Sequence, residues 1–393
     1  MSRVAKAAVG LMAATLVAKI LGFGRELALA SAYGASGVSD AFLVAMNIPA
    51  VIFTAIGTSL GTAFIPLYCE VNANKGEQSS NKFTNNVFNI VVIICIVISV
   101  IGAIFTPQIV KIFAVGFEGE TLRLAIYFTR VMILGLAFLG MSYIMMAYLQ
   151  VKENFIIPGF MSVPYNILII ISIIVSVKIS PYLLPWGTLI GLSLQFLFQL
   201  PFAIKKGYRY KLYIDVKDEH LKRMLWLIAP VLIGVAVNQI NTIVDRTIAS
   251  TLVEGSISAL NYATKLNQFV MGMFIVSISS VVYPMLSKLS SENNKEQFNK
   301  SIITSVNTVT LLVIPISIGA IILANPIVKL LFQRGEFDVR ATQMTAVALI
   351  FYSIGMIGYG LRDILGKVFY SLQDTRTPMI NGVIAMVLNI TLN

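Results

Sequence analysis

Ten runs of about twenty apolar residues leave this chain one way to fold. They lie at 5–34, 39–68, 84–105, 122–149, 155–177, 184–204, 224–253, 257–286, 301–324 and 342–371, and an eleventh begins near Pro378. Each is long enough to cross ~30 Å of hydrocarbon as a helix. Hydrocarbon offers no partner to a backbone N–H or C=O, so a lipid-facing span must satisfy its hydrogen bonds internally or in a closed barrel. Barrel strands need only ~10 residues, so the runs predict an all-α polytopic membrane protein. Several exceed 25 residues and carry internal Gly or Pro, which predicts bends rather than straight rods.

The remaining composition excludes most other classes. Only 12% of residues are charged, against 57% hydrophobic, with a mean hydropathy of +0.84. Soluble domains carry about twice that share of charge. Cys69 and Cys95 sit in or beside apolar runs and make no disulfide framework or thiolate metal site. The single histidine, His220, lies among Asp218, Glu219 and Lys222 and reads as a solvated loop residue. No nucleophile–base set, metal cluster or phosphate loop points to an enzyme. The first apolar run continues well past the ~15 residues of a signal h-region, so it reads as a span.

The chain also repeats itself. GAIFTPQIVKIF, from Gly102 to Phe113, returns as GAIILANPIVKLLF, from Gly319 to Phe332. An offset of about 218 residues also maps Gly37 onto Gly255, Pro66 onto Pro284 and Asn89 onto Asn307. Six helices per copy is an even number, so both copies share one orientation and the lobes are parallel repeats with a substrate path between them. The expected organisation is an N-lobe of six helices over 1–204, a basic cytoplasmic linker at 205–223, and a C-lobe over 224–393 with four helices and a truncated fifth. The second copy stops at Asn393, opposite about Ile170 of the first, so the second lobe reads as incomplete.

Loop charge sets the orientation. With the N-terminus in the cytoplasm, sixteen Lys and Arg fall on inner segments and six on outer ones. This places the N-terminus on the cytoplasmic side of the membrane. The linker KKGYRYKLYIDVKDEHLKR accounts for much of the bias and of the net charge of +11. It reads as a segment facing anionic lipid, not as a nucleic-acid surface.

Seven cations fall within spans: Lys19, Arg25, Arg130, Arg246, Lys265, Arg362 and Lys367. Glu26, Asp40, Asp245 and Asp363 accompany them. Each charge costs about 2.5–3.5 kcal/mol at a helix centre on insertion scales, so such residues face partners or a wet cavity. Lys367, near a helix end, reads as a snorkelling residue. Lys19 and Arg25 flank Gly22 and Gly24, where a loosened helix would let both reach one cavity. An excess of base over acid suits an anionic substrate such as a pyrophosphate, whose oxygens match the guanidinium fork. An exporter of cationic drugs needs the reverse.

These residues resemble a known family. AKILGFGRELALASAYGASGVSDAFLVAMNIP at 18–49 is similar to the first two helices of the MurJ (MviN) lipid II flippases. Their superfamily also holds multidrug (MATE) exporters and polysaccharide flippases. SALNYATKLNQF at 258–269 resembles the family's eighth helix, and FYSLQDTRTPMINGVIAMVLNI at 369–390 the junction of its tenth and eleventh. The resemblance implies a MATE-like, MurJ-like fold and a flippase that moves the undecaprenyl-pyrophosphate-linked peptidoglycan precursor between leaflets by alternating access. A flippase for another lipid-linked oligosaccharide is the alternative, and a cation-coupled drug exporter a weaker one.

The same likeness implies the site. Arg25 matches the essential arginine of the first helix, Lys19 stands where many members carry a second arginine, and Asp40 matches the acid opening the second helix. Lys265 replaces the eighth-helix arginine, keeping charge without the fork, and Gln268 replaces a nearby glutamate. The basic residue many members carry in the second helix is absent from IPAVIFTAIG at 48–57. No cofactor is required. Sodium enters as a coupling ion of some members, with Asp245, Asn389 and Asn393 as oxygen donors. Read from the residues alone, the two asparagines are also ordinary helix-packing polar groups. The expected partners are lipid II or a related polyprenyl-pyrophosphate sugar and the bilayer itself; oligomeric state is left open. The family's last two helices, its twelfth and most of its eleventh have no counterpart before Asn393.

Overall fold

The computed structural model describes residues 3–292 and 294–392, with side chains left aside at 3–9, 55, 56, 58, 59 and 229–238. Among the described residues there are fourteen α-helices, two short 3-10 turns and no strands. Contacts divide the chain into two compact units, Met1–Glu254 and Gly255–Asn393.

The first unit contains α1 (Arg3–Tyr33), α2 (Gly37–Ile104), α3 (Thr106–Phe113), α4 (Gly119–Met132), α5 (Leu136–Val151), α6 (Ile156–Phe160), α7 (Ser162–Lys178), α8 (Leu184–Lys205) and α9 (Glu219–Ala249). The second contains α10 (Ser256–Ser291), α11 (Lys295–Ile322), α12 (Ala324–Phe332), α13 (Val339–Ser371) and α14 (Arg376–Leu392). The ten apolar runs and the start of the eleventh each fall on helix, and eight stretches are apolar and long enough to cross a membrane among the described residues.

The bends come where backbone bonding is interrupted. A 3-10 turn at Ile133–Gly135 separates α4 from α5, and Met161 separates α6 from α7. The second and third runs are joined by helix rather than by a polar loop, and α2 continues through 69–83 with one break. At that break Gly76 has φ 76° and ψ 177°, which a side chain would strain and glycine adopts freely. The break lets the two halves of α2 change direction while the surrounding turns stay bonded.

The core of the first unit is built from the two halves of α2 with α5, α8 and the start of α9. Phe64, Tyr68, Phe83, Tyr148 and Met224 are almost wholly buried in it. Lys152, just past α5, reaches Glu77 at 2.6 Å and lies beside the rings of Tyr68 and Tyr148. In the second unit α13 packs between α10 and α11 around Ile275, Val309, Met356 and Ile364. No residue of α14 is buried.

The segment after α8 crosses the first unit as an extended strap, held by α2. Asn81 donates to the Gly207 carbonyl at 3.1 Å and Asn85 to that of Arg209 at 2.8 Å. Asn89 donates to the carbonyls of Lys211 and Tyr213, and Asn86 to that of Asp215 at 2.9 Å. Spacings of four place Asn81, Asn85 and Asn89 on one helix face, and the carbonyls they take alternate along the strap. Asn89 also accepts from the Tyr210 hydroxyl at 3.1 Å. At about 1 kcal/mol per net bond, loss of the three Asn89 bonds in Asn89→Ala is expected to raise hydrogen exchange at Asp215, whose N–H donates to Asn86 Oδ1 at 2.7 Å, by roughly a hundred-fold. Unchanged exchange there contradicts the clamp.

Asp215 closes the strap. Its carboxylate accepts from the Lys217 backbone N–H at 2.9 Å and the Tyr213 hydroxyl at 3.1 Å. Those two bonds, the Lys217 one first, hold its pKa below the ordinary aspartate value. A depressed folded pKa means the stabilisation is complete above the unfolded value of about 3.9 and disappears as pH falls through the lower folded one. Exchange protection at 213–218, corrected for intrinsic rates, should therefore stay flat from neutral pH to about 5 and fall only below about 4.

Candidate functional site

Among the sequence-derived site residues, Arg25 lies in a defined hydrogen-bonded cluster. α1 runs unbroken through Gly22 and Gly24, so the expected opening of the helix there is not seen. On an intact helix a spacing of six turns two side chains about 240° apart. Lys19 accordingly sits exposed between exposed Leu16 and Ile20, whereas Arg25 shares the packed face with Ala14 and Leu29. That face is set by fit. Ala14 packs against Gly159 of α6, and the Tyr33 hydroxyl donates to Ser176 of α7 at 2.7 Å.

The Arg25 side chain is 16% exposed and is held on three sides. One amino group donates to the Glu26 carboxylate at 2.7 Å and the other to Asn166 Oδ1 on α7 at 3.3 Å. The Tyr165 ring lies 6.0 Å from the guanidinium carbon. Asn166 is itself fixed, its amide donating to the Ser162 carbonyl at 2.8 Å. Successive helix residues point ~100° apart, so neighbouring charges rarely pair; the long, flat guanidinium bends back far enough to do so here. Glu26 and Asn166 are 2% and 5% exposed, which makes the cluster a buried, oriented cation rather than a snorkelling one.

Other expected residues are spread over both units. Asp40 is buried in the first turn of α2, 3% exposed, its N–H donating to the Ser36 carbonyl. On α10, Lys265 is half-buried and Gln268 exposed. In the second unit Asp363 of α13 accepts from Ser279 of α10, and Lys367 lies 5.8 Å from the Tyr283 ring. Arg362, Asp363 and Lys367 line a cleft of about 520 Å³ with Tyr359, Tyr370 and Asn381. Arg130 is exposed. His220 belongs to the first turn of α9, with Nε2 3.3 Å from Lys75 Nζ.

For sodium, Asp245 stands exposed on α9 of the first unit and Asn389 half-buried on α14 of the second; Asn393 lies outside the described residues. A carboxylate and an amide oxygen are the right donor types for a hard cation. Among the described residues no group of three or more His, Cys, Asp or Glu forms a metal cluster.

Two features of the first unit escaped the sequence reading. Asn166 carried only a packing and repeat signal, yet it orients Arg25. The asparagine clamp had a visible signature, Asn at 81, 85 and 89 opening an apolar run, whose partner in the linker only folding reveals.

Eight long apolar helices among the described residues and one buried, oriented guanidinium describe a multi-pass membrane protein. Solved structures agree. An inward-facing multidrug MATE transporter of the MOP superfamily superposes with a TM-score of 0.77 over 98% of this chain and 87% of its own, at 12% identity, a likeness of fold alone. The lipid II flippase MurJ in an inward closed conformation superposes at 0.84, with 30% identity over 97% of this chain and 80% of its own. The family model described as lipid II flippase MurJ matches residues 29–393. The probable lipid II flippase MurJ of Buchnera aphidicola subsp. Baizongia pistaciae is 30% identical over 99% of this chain and 77% of its own length. The chain belongs to the MurJ lipid II flippase family.

Proposed function

We propose that this protein carries lipid II, the polyprenyl-pyrophosphate-linked peptidoglycan precursor, from the inner to the outer leaflet of a bacterial cytoplasmic membrane by alternating access. The observation that supports this reading most is the Arg25 cluster. A guanidinium held within a bundle of spanning helices, oriented by Glu26 and Asn166, is a ready donor to phosphate oxygens. A pyrophosphate entering this site competes with Glu26 for the fork. The remaining N–H groups are already aimed, so little side-chain freedom is lost on binding. In the second unit Lys265 offers point charge and Gln268 an amide to the substrate, and in the first Asp40 offers a carboxylate to hold the outer side closed while the site faces inward. With the N-terminus inside, the strap and its cations lie on the cytoplasmic face.

Sodium enters this scheme as a coupling ion, with Asp245 of the first unit as a carboxylate that would hold it; bound there, it would supply positive charge that links ion flow to the conformational cycle. The test of the whole reading is genetic and biochemical together. Depletion of the host's lipid II flippase while this protein is expressed should leave growth intact. Labelled lipid II should also become accessible to an outer-leaflet probe. Good expression without rescue or translocation refutes the lipid II assignment.

A further inference from the structure

The strap is amphipathic in a way that water does not explain. Along an extended chain successive side chains point to opposite faces. Over 208–215 one register carries Tyr208, Tyr210, Leu212 and Ile214, and the other carries Arg209, Lys211, Tyr213 and Asp215. The first register leans on α2 at its start, where the Tyr208 hydroxyl donates to Asn85 and the Tyr210 hydroxyl to Asn89, at 3.0 and 3.1 Å. Only Tyr208 of this set is buried; Tyr210, Leu212 and Ile214 are 56%, 78% and 48% exposed. A strand bathed in water on its free side turns polar groups outward. This one presents a row of three large side chains beside cations, the pattern of a segment lying in a membrane interface.

The row leads into a groove. Tyr208 and Tyr210 join Phe88 of α2 and Phe196, Leu200 and Ile204 of α8 around an apolar hollow of about 360 Å³. The Phe88 ring lies 6.0 Å from Phe196 and 5.9 Å from Tyr210. Its α8 wall is the last turns of a membrane span, and neighbouring Leu197 is 49% exposed, so the groove continues the lipid-facing surface of that helix. At its end stand Lys205 and Lys206, both exposed, followed along the strap by exposed Arg209 and Lys211. These four side chains have no acidic partner within ion-pair distance among the described residues.

We propose that the groove and strap bind one anionic phospholipid of the leaflet on that face of the membrane. An acyl chain lies along α8 against Phe88, Phe196 and Leu200, and the headgroup phosphate is held by Lys205 and Lys206 at the end of that helix. A free phosphate has nothing to place in the apolar hollow. A soluble acidic peptide would have to enter a surface continuous with a span. The strap is also the connection from α8 to α9, so lipid taken up here tethers that connection to the leaflet. The site is separate from Arg25 and does not depend on which headgroup the transporter carries.

The test uses the full purified chain in mixed micelles with a phosphatidylglycerol or a phosphatidylcholine carrying a photoreactive acyl chain, the crosslinks being mapped by peptide mass spectrometry. The expected result is labelling concentrated in 196–210, at least ten-fold stronger with phosphatidylglycerol, and unaffected by excess inorganic phosphate. Lys205→Gln and Lys206→Gln together should reduce it to the phosphatidylcholine level, at about five-fold per cation removed. Both side chains are exposed, so this variant should keep the parent's thermal midpoint. Leu200→Trp, filling the hollow, should displace the chain with the charges intact. Equal labelling by the two lipids, or crosslinks elsewhere only, overturns the proposal. Loss of labelling in inorganic phosphate overturns it too, by marking a site for a free anion.

Discussion

Arg25→Ala is expected to abolish rescue of a flippase-depleted strain and to cut lipid II translocation by at least two orders of magnitude. Two effects combine. The substrate loses a fork that meets phosphate oxygens through charge-assisted bonds worth ~1.5–3 kcal/mol each. Glu26, 2% exposed, loses its ion partner at 2.7 Å, and taking one member from a buried pair costs ~3–5 kcal/mol of stability. Function and folding are separable by a second variant. Arg25→Ala with Glu26→Gln replaces the buried charge by a neutral amide, so protein level and thermal midpoint should recover while translocation stays lost. Arg25→Lys keeps the charge but not the fork, and should translocate about ten-fold more slowly than the parent. Normal growth of a well-expressed Arg25→Ala strain would sink the role given to this residue.

The second large effect is expected at Gly116, in the turn between α3 and α4, where the far end of α9 is stitched to the first unit. The Gly116 N–H donates to Ser250 Oγ at 3.0 Å, and the Thr247 hydroxyl to the Ile112 carbonyl at 2.7 Å. Close by, Glu254 accepts from the Gly37 N–H opening α2 at 2.5 Å. A Cβ on Gly116 would lie 2.6 Å from both the Ser250 carbonyl carbon and the Thr251 Cα. Those are backbone atoms, which cannot swing away as a side-chain tip does. Gly116→Ala should therefore force the two segments apart, costing ~1–3 kcal/mol in overpacking and about 1 more for the bond to Ser250. The thermal midpoint in detergent should fall by roughly 3–5 °C. Ser250→Ala, which removes the bond without the clash, should lower it by only about 1 °C. A Gly116→Ala protein melting with the parent would show that this contact does not hold α9.

That contact also bears on how the chain divides. The internal repeat places α9 first in the second copy, yet its packing joins it to the unit ending at Glu254. Its first turns face the clamp side, where Arg223 meets Glu70 at 2.8 Å, and its last turn meets Gly116. Sequence similarity between copies records ancestry and helix length. Which bundle a boundary helix packs against is decided by side-chain fit at its two ends.

The sequence by itself determined the order and approximate limits of the apolar helices, because an apolar run of that length has no alternative in hydrocarbon. It also placed Arg25, Asp40 and Lys265 as charges needing a reason, through the energetic cost of a charge at membrane depth. What it left open depends on angles around helix axes and on contacts distant in sequence. Lys19 and Arg25 share a helix but not a face, because α1 does not open at Gly22 and Gly24. Asn166 stands 141 residues from Arg25 and becomes its partner only when α7 packs on α1. The linker's charge was legible. Its attachment to α2, through Asn81, Asn85, Asn86 and Asn89 on its carbonyls, exists only in the folded chain. Hydrophobicity is a property of each residue and is written in the chain; which side of an element meets a partner is a property of the packed molecule.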